Sequence, residues 1–201
     1  MSEINVDTIK DKTGTTAMTI DTSGNTTLAG NLKVDTIQNT GGTTGLSINS
    51  TGRVTNPNGI AFKVIGNAGG AAGAYVTTTP IIPGTIKHND GSGWDNSTGR
   101  FTVPAGGAGH YLFHLHMGIV YTTSTNGNCY PRLWIKNSGG TTLHNAYTYF
   151  SHPDAGEYGS AHITCTWDMA VGDYAYLTFS QTNAKYYADQ AELSFEGYLI
   201  G

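Results

Sequence analysis

The stretch Val6–Asp21 reads VDTIKDKTGTTAMTID, and 28 residues further on Val34–Asn49 reads VDTIQNTGGTTGLSIN. The two copies align without a gap. Val6-Asp7-Thr8-Ile9 falls on Val34-Asp35-Thr36-Ile37, Gly14-Thr15-Thr16 on Gly42-Thr43-Thr44, Met18-Thr19-Ile20 on Leu46-Ser47-Ile48, and Gly24 on Gly52. A period of this size marks a repeated supersecondary unit. Within the copies apolar residues alternate, as in Ile4 and Val6, Met18 and Ile20, Leu46 and Ile48. That period of two predicts short strands with one apolar face. The intervening DKTG, DTSGN, NTGG and NSTG supply Gly and Asn for turns. No helical period is present. Each copy offers too few apolar side chains to bury a core, and a lone hairpin is marginal in water. The simplest cover is a second copy of the same chain. Residues 1–53 are therefore expected to be a short β-rich shaft, wound with identical units of other subunits. The competing reading, a solvated Thr/Gly-rich tail, fits the regular apolar pairs poorly.

Residues 54–60, VTNPNGI, concentrate turn formers and read as a linker. Beyond them aromatics become frequent and the apolar runs lengthen. Strands are expected over 61–65, 83–87, 100–103, 110–121, 130–136, 141–151, 160–167, 173–182 and 192–200. Gly- and Asn-rich loops separate them, among them TTSTNGN, NSGG, AVGD and NAKYYAD. Many short strands with such turns mean a sandwich or barrel. In the last strand the alternation of Leu193 and Phe195 with Tyr198 and Ile200 slips at Gly197, which predicts a bulge there. Only 12% of the 201 residues are charged, against about 25% in average domains. Thr, Ser, Asn and 28 Gly make up the difference, a balance that suits β-structure. The net charge of −4 offers no basic patch for nucleic acid. No run reads as a membrane span or a signal peptide. Cys129 and Cys165 lack CxxC spacing and are expected to be two buried free thiols.

Several phrases of residues 61–201 resemble the globular heads of the complement-q/tumour-necrosis-factor superfamily. They are AF at Ala61-Phe62, GWDNSTGRFTVPAGGAGHYLFHLHM, AVGDYAYLTF, and the terminal FEGYLIG. The matching positions are Asp95, Thr98, Gly99, Phe101, Thr102, Pro104, Gly109, Tyr111, Phe113, His116, Gly172, Asp173, Phe195, Gly197, Tyr198 and Leu199. The segment from Pro104 to Gly109 is longer than the family's turn. The resemblance implies a ten-stranded jelly roll that assembles as a tight trimer. The N-terminal phrases V-D-T-I-x-x-x-x-G and M-T-I-D-x-S-G-N-x-T-L-x-G are similar to repeats in tail fibres of bacteriophages, notably those of marine cyanobacteria. Together the two resemblances imply an all-β protein: a trimeric jelly-roll β-sandwich head (61–201) on a short β-rich repeat shaft (1–53).

Catalytic signatures are not found. His114 and His116 share one strand face, and such a pair can ligate a metal if a third ligand is close. None stands at motif spacing. One His per chain near a trimer axis would supply three ligands, whereas packing against a neighbouring subunit uses the same residue structurally. Asp154 and Glu157 read as a solvated acidic loop, and Asn89-Asp90-Gly91 as a turn rather than a calcium loop. No nucleophile elbow, phosphate loop or HExxH occurs. No enzyme activity, cofactor or metal is expected.

Binding has more support. If the first and last strands begin and end beside the shaft, loops 122–129, 151–159 and 183–190 lie at the tip. Loops 104–109, 137–140 and 168–172 then face the shaft. The tip set carries Asn126, Asn128, His152, Tyr158, Lys185, Tyr186 and Tyr187. Tyr and Asn supply flat amphipathic area and hydrogen bonds at low entropy cost. The tyrosines could equally pack between subunits. The expectation is a homotrimeric virion fibre, assembled in the cytoplasm of a host bacterium. It would attach through its N-terminal region to tail or capsid proteins and bind a host surface glycan or receptor with its tip loops. The alternative is a non-enzymatic decoration or cement fibre on the capsid or tail. Neither involves nucleic acid or membrane insertion.

Overall fold

In the computed structural model, the sequence repeat recurs as a repeat of hydrogen-bond register. The structure describes residues 8–10, 12–29, 34–38, 40–42, 44–56, 59–66, 80–121, 127–152, 156, 158–180, 184–187 and 191–200. The chain divides into two units, Met1–Pro57 and Asn58–Gly201. The first unit holds β1 (Thr8–Lys10), β2 (Thr16–Ile20), β3 (Thr26–Leu28), β4 (Thr36–Gln38), β5 (Thr44–Ile48) and β6 (Val54–Thr55). They form two three-stranded antiparallel sheets, β1-β2-β3 and β4-β5-β6. Ile9 pairs with Met18, and 28 residues on Ile37 pairs with Leu46. Both sheets shift register at the same place, between Ile9 and Lys10 and between Ile37 and Gln38. β6 occupies the first two positions of the expected linker. Val54 is the counterpart of Thr26 and pairs with Ile48, so the second repeat runs further than its composition suggested.

The second turn of each repeat explains why Asp21 and Asn49 stand at equivalent positions. Asp21 Oδ1 accepts hydrogen bonds from the backbone N–H of Ser23 (2.9 Å) and Asn25 (2.8 Å). Asn49 Oδ1 does the same for Thr51 (3.0 Å) and Arg53 (2.9 Å). A side-chain oxygen thus takes over donors that the turn removes from the ladder. Gly24 and Gly52 close these turns at φ of 82° and 79°, a region open to Gly. No described hydrophobic side chain of this unit is buried.

The second unit is a two-layer sandwich. It contains β7 (Ala61–Ile65), β8 (Thr85–Asp90), β9 (Trp94–Asp95), β10 (Arg100–Thr102), β11 (Gly109–Tyr121) and β12 (Gly127–Lys136). It continues with β13 (Thr142–Tyr147), β14 (Phe150–His152), β15 (Tyr158–Met169), β16 (Tyr174–Ser180), β17 (Ala184–Tyr186) and β18 (Leu193–Leu199). One sheet runs β15-β11-β18-β7-β8, with β17 also on β11. The other runs β13-β12-β16-β10-β9, with β14 also on β12. This is the jelly-roll sandwich. Alternate residues of β11, from Tyr111 through Phe113, Leu115, Met117 and Ile119 to Tyr121, are buried between the sheets. Phe113, Leu193 and Phe195 lie in the core, as their alternation predicts. Phe62 is its hub, with ring centroids 4.6 Å from Phe101 and 4.9 Å from Phe195. Aromatic pairs in these geometries add to the burial term.

Three strand expectations change. The segment expected as one strand over 141–151 is split into β13 and β14, although both keep one register along β12. The break faces Pro131. Thr148 N–H donates to Pro131 O, and the proline has no N–H to return the bond. The expected loop 183–190 contains β17, which pairs with the end of β11. Gly197 makes no bulge, because its pairing with Phe113 and Phe62 is continuous. Leu193, Phe195, Gly197 and Leu199 stay in phase on the inner face. A Cβ on Gly197 would come within 2.5 Å of the Phe62 ring and 2.9 Å of the Phe113 ring. Glycine stands there because two aromatic rings fill the space of a side chain. Cys129 and Cys165 are free; Cys129 is buried, Cys165 only partly.

Candidate functional site

Strand register sorts the second unit into two ends. Ala61, Leu199, Tyr111, Met169, Tyr174 and Lys136 mark the end at which the chain enters the sandwich. Ile65, Leu193, Val120, Tyr158, Ser180 and Gly127 mark the opposite end. There the sheets are tied in the interior by a hydrogen bond between the Tyr121 hydroxyl and Cys129 Sγ (3.1 Å). Burial raises the Tyr121 hydroxyl and, with the hydrogen bond acting the other way, the Cys129 thiol above their ordinary pKa values. Both therefore stay protonated and serve as structure.

Most of the candidate recognition residues meet at this opposite end. Val120 on β11 pairs with Tyr158 on one side and Lys185 on the other. Tyr158 is 69% exposed and stacks on Tyr187 at 5.8 Å and 18°. Tyr187 is anchored from its backbone, whose N–H donates to Gly118 O (2.9 Å). Lys185 is exposed beside them. Asn128 and His152 enter through backbone position alone, in the β12–β14 pairing that aligns Gly127 with His152 and Asn128 with Ser151. Asn126 lies outside the described residues, as do Asp154 and Glu157.

Tyr186 departs from the expectation. It sits on a strand, is only partly exposed, and packs against the core with its ring 6.0 Å from Phe179. Burial raises its hydroxyl pKa. Along β17 side chains alternate, so placing Ala184 inward at 2% exposure carries Tyr186 inward with it and turns Lys185 out. Reading 183–190 as a loop concealed that parity.

Two features of the site region were missed in the sequence. The first is a strip of cations and aromatics on the outer face of the β13-β12-β16-β10 sheet. Arg100 lies over Tyr174 (4.7 Å), Arg132 over Tyr130 (5.5 Å), and Lys136 over Trp134 (5.7 Å). The alternation in YPRLWIK, with Tyr130, Arg132, Trp134 and Lys136 all on one face, was the available signal. The second is a partner for the His114/His116 pair. His162 pairs directly with His116 across β11 and β15, and the two rings stack at 4.7 Å. No spacing rule could find it, because antiparallel register, not sequence distance, places it there.

Of Asn89-Asp90-Gly91, the first two residues close β8 and Gly91 opens the turn that follows it. Asn89 Oδ1 accepts from Trp94 N–H (2.8 Å), and Ser92 N–H donates to Asn89 O (3.1 Å).

The chain is similar to known proteins. Among solved structures it is similar to the globular domain of zebrafish complement 1qA protein, at 16% identity and a TM-score of 0.49, over 71% of this chain and 98% of that one. It is also similar to Eiger TNF from S. frugiperda, at 14% identity and a TM-score of 0.52, over 72% and 94%. Murine APRIL, crystallised at pH 5.0, matches at 14% identity and a TM-score of 0.51, over 71% and 99%. At these identities the likeness to the last two is one of fold. No curated protein sequence matched the chain. The model of the C1q domain family matches residues 61–200, from the first strand of the sandwich to the residue after its last, and the protein belongs to that family.

Proposed function

We propose that this protein is a trimeric virion fibre that attaches a bacteriophage to a glycan on its host cell. The observation that carries this reading is the apolar face of the N-terminal unit. Ile9, Ile20, Leu28, Ile37, Leu46, Ile48 and Val54 all remain exposed, in two sheets of one register. Repeated units that cannot bury their own apolar face need neighbours to do it. Domains of the C1q/TNF type form homotrimers and bind receptors, and they are typically not enzymes. Three copies of the first unit would cover one another as a shaft, anchored to tail or capsid proteins of the virion.

The end carrying Tyr158, Tyr187 and Lys185 is the proposed recognition surface. Flat aromatic rings stack on sugar faces, and aromatics dominate binding hot spots. Three weak sites on one trimer gain avidity without any new contact. The alternative, a fibre that only decorates or cements the virion, is favoured by one observation: Tyr158 and Tyr187 already stack on each other. Purified full-length protein should behave as a trimer by light scattering and bind a discrete set of structures on a glycan array. Replacing Tyr158 and Tyr187 together by Ala should leave the trimer folded and remove adsorption to host cells. A folded double variant that adsorbs normally would leave decoration as the better reading. Tyr186 is a poor choice for this test, since its ring packs on the core.

A further inference from the structure

We propose that His114, His116 and His162 form a mononuclear site for a divalent transition-metal ion of the zinc class on the outer face of the β15-β11-β18-β7-β8 sheet. His114 and His116 are two apart on β11 and project from the same face. In the antiparallel register His116 lies opposite His162, and His114 lies opposite Thr164, one diagonal step away. Ring centroids are 4.7 Å apart for His116 and His162, and 6.1 Å for His114 and His162. Three imidazoles bound tetrahedrally at Zn–N distances of about 2.0–2.1 Å hold their centroids about 5 Å apart. The two spacings to His162 thus lie within about an ångström of what the metal needs.

Ring orientation differs from that of a loaded site. The rings stack face to face, at 20° and 28° between planes. Among the described residues, no group of three His, Cys, Asp or Glu side chains is placed to hold a metal ion as it stands. Rotation about the Cβ–Cγ bonds, a broad and low-cost torsion in histidine, turns the nitrogens inward without moving the backbone. His162 is exposed and has room to turn. Among the described residues, neither His116 nor His162 makes a hydrogen bond that such a rotation would break.

The surroundings fit a metal site in two ways. His114 Nδ1 faces Glu196 Oε1 at 3.5 Å, which leaves Nε2 for the ion. Glu196 is itself held by Lys63 (2.8 Å) and by the Tyr198 hydroxyl (2.9 Å). A carboxylate behind a ligating histidine is the usual orienting partner. Gly118, the next outward position on β11, carries no side chain, and the Glu192 carboxylate occupies the space a Cβ would take. It offers negative charge at the ion's edge. Three histidines leave a fourth position open to water or to a donor from outside the chain.

The test uses metal-free full-length protein titrated with Zn²⁺ by calorimetry, and with Co²⁺ by the visible bands of a tetrahedral site. One ion per chain is expected, with a higher melting temperature in its presence. His162→Ala and His162→Gln should each abolish the tight site while the protein stays folded, since this side chain is exposed. Glu196→Gln should weaken binding about 10–100-fold, as loss of an orienting carboxylate does elsewhere. His88→Ala, three strands away on the same face, should bind as the wild type does. Absence of saturable binding in the wild type would overturn the proposal. So would tight binding retained in both His162 variants, or a stoichiometry of one ion per three chains, which would place the ion on a trimer axis instead.

Discussion

The two units of this chain use the same strand and turn chemistry and reach opposite results. In the N-terminal unit the strands run three to five residues (two in β6), and no described hydrophobic side chain is buried. In the C1q domain β11 alone runs 13 residues, and its inward side chains are at most 2% exposed. Turn quality does not separate them. Asp21 and Asn49 cap their turns as Asn137 does in the domain, where Asn137 Oδ1 accepts from Thr141 N–H (2.8 Å). What differs is the partner layer. The domain folds one sheet onto another, whereas each three-stranded sheet of the repeat presents an apolar row that its own unit does not cover. Alternation makes a strand; only a second layer makes a core.

The largest expected effect breaks the better-covered region. Phe113→Ala should destabilise the C1q domain by about 3–5 kcal/mol, because it removes a ring from a fully packed interior. Urea unfolding followed by tryptophan fluorescence would measure it. An unchanged midpoint would mean that the domain's core does not depend on β11. The matching change in the first unit is Ile37→Ser. If nothing covers Ile37, the cost stays within about 0.5 kcal/mol, as for other surface sites. If copies of the chain cover it, up to about 1.5–3 kcal/mol of burial is lost for each chain, and light scattering should show the trimer dissociating at higher concentration. An Ile37→Ser protein that associates as tightly as wild type would remove the shaft from the proposed function.

Much of this was legible in the residues, and the failures share one cause. The 28-residue period, the alternation of Phe113 and Phe195, and the Gly and Asn turns translate directly into register and core. Gly197 and Tyr186 escape a reading along their own segments. Gly197 is fixed by Phe62 and Phe113 from neighbouring strands, and Tyr186 by Phe179 from the other sheet. His162 escapes it for the same reason: 46 residues separate it from His116, and pairing closes that distance. Periodicity reports what one strand does to its own side chains. It does not report what a neighbour puts in the way.

A smaller effect separates the regions by pH. Burial and the neighbouring His162 and His114 depress His116, with Glu192 opposing them. A histidine held below its ordinary value contributes stability above the unfolded-state pKa of 6.5 and loses it as pH falls through the folded value. The C1q domain should therefore begin to weaken below pH 6.5, and His116→Gln should flatten that part of the profile. Glu196 acts in a separate, more acidic window. Burial pushes its pKa up, but hydrogen bonds from Lys63 and Tyr198 and the charges of Lys63 and His114 bring it below 4.5. Its contribution disappears only as pH falls through that lower value. A domain stability that stays level from pH 7 to pH 5 would show that the His116 ring is not confined as its neighbours suggest.

The smallest effect lies inside the repeat, where one atom distinguishes two turns of the same geometry. Asp21 and Asn49 each offer an oxygen to two backbone N–H groups, but only Asp21 can be protonated. Its pKa is lowered from 3.8, first by the Asn25 side chain, whose Nδ2 donates to Oδ2 (2.8 Å), and then by backbone N–H groups of the turn. A carboxylate shifted this way stabilises the folded turn above pH 3.8 and ceases to do so as pH falls through its folded value. Acidification should therefore loosen the β2–β3 turn and leave the β5–β6 turn unchanged. Amide hydrogen exchange reads this directly: protection at Ser23 and Asn25 should fall in acid, relative to the intrinsic rate, while Thr51 and Arg53 keep theirs. Asp21→Asn should make the two turns respond alike. Equal loss at both turns in the wild type would mean that acid opens the unit as a whole, and that the two repeats are not independent hairpins but parts of one cooperative sheet stack.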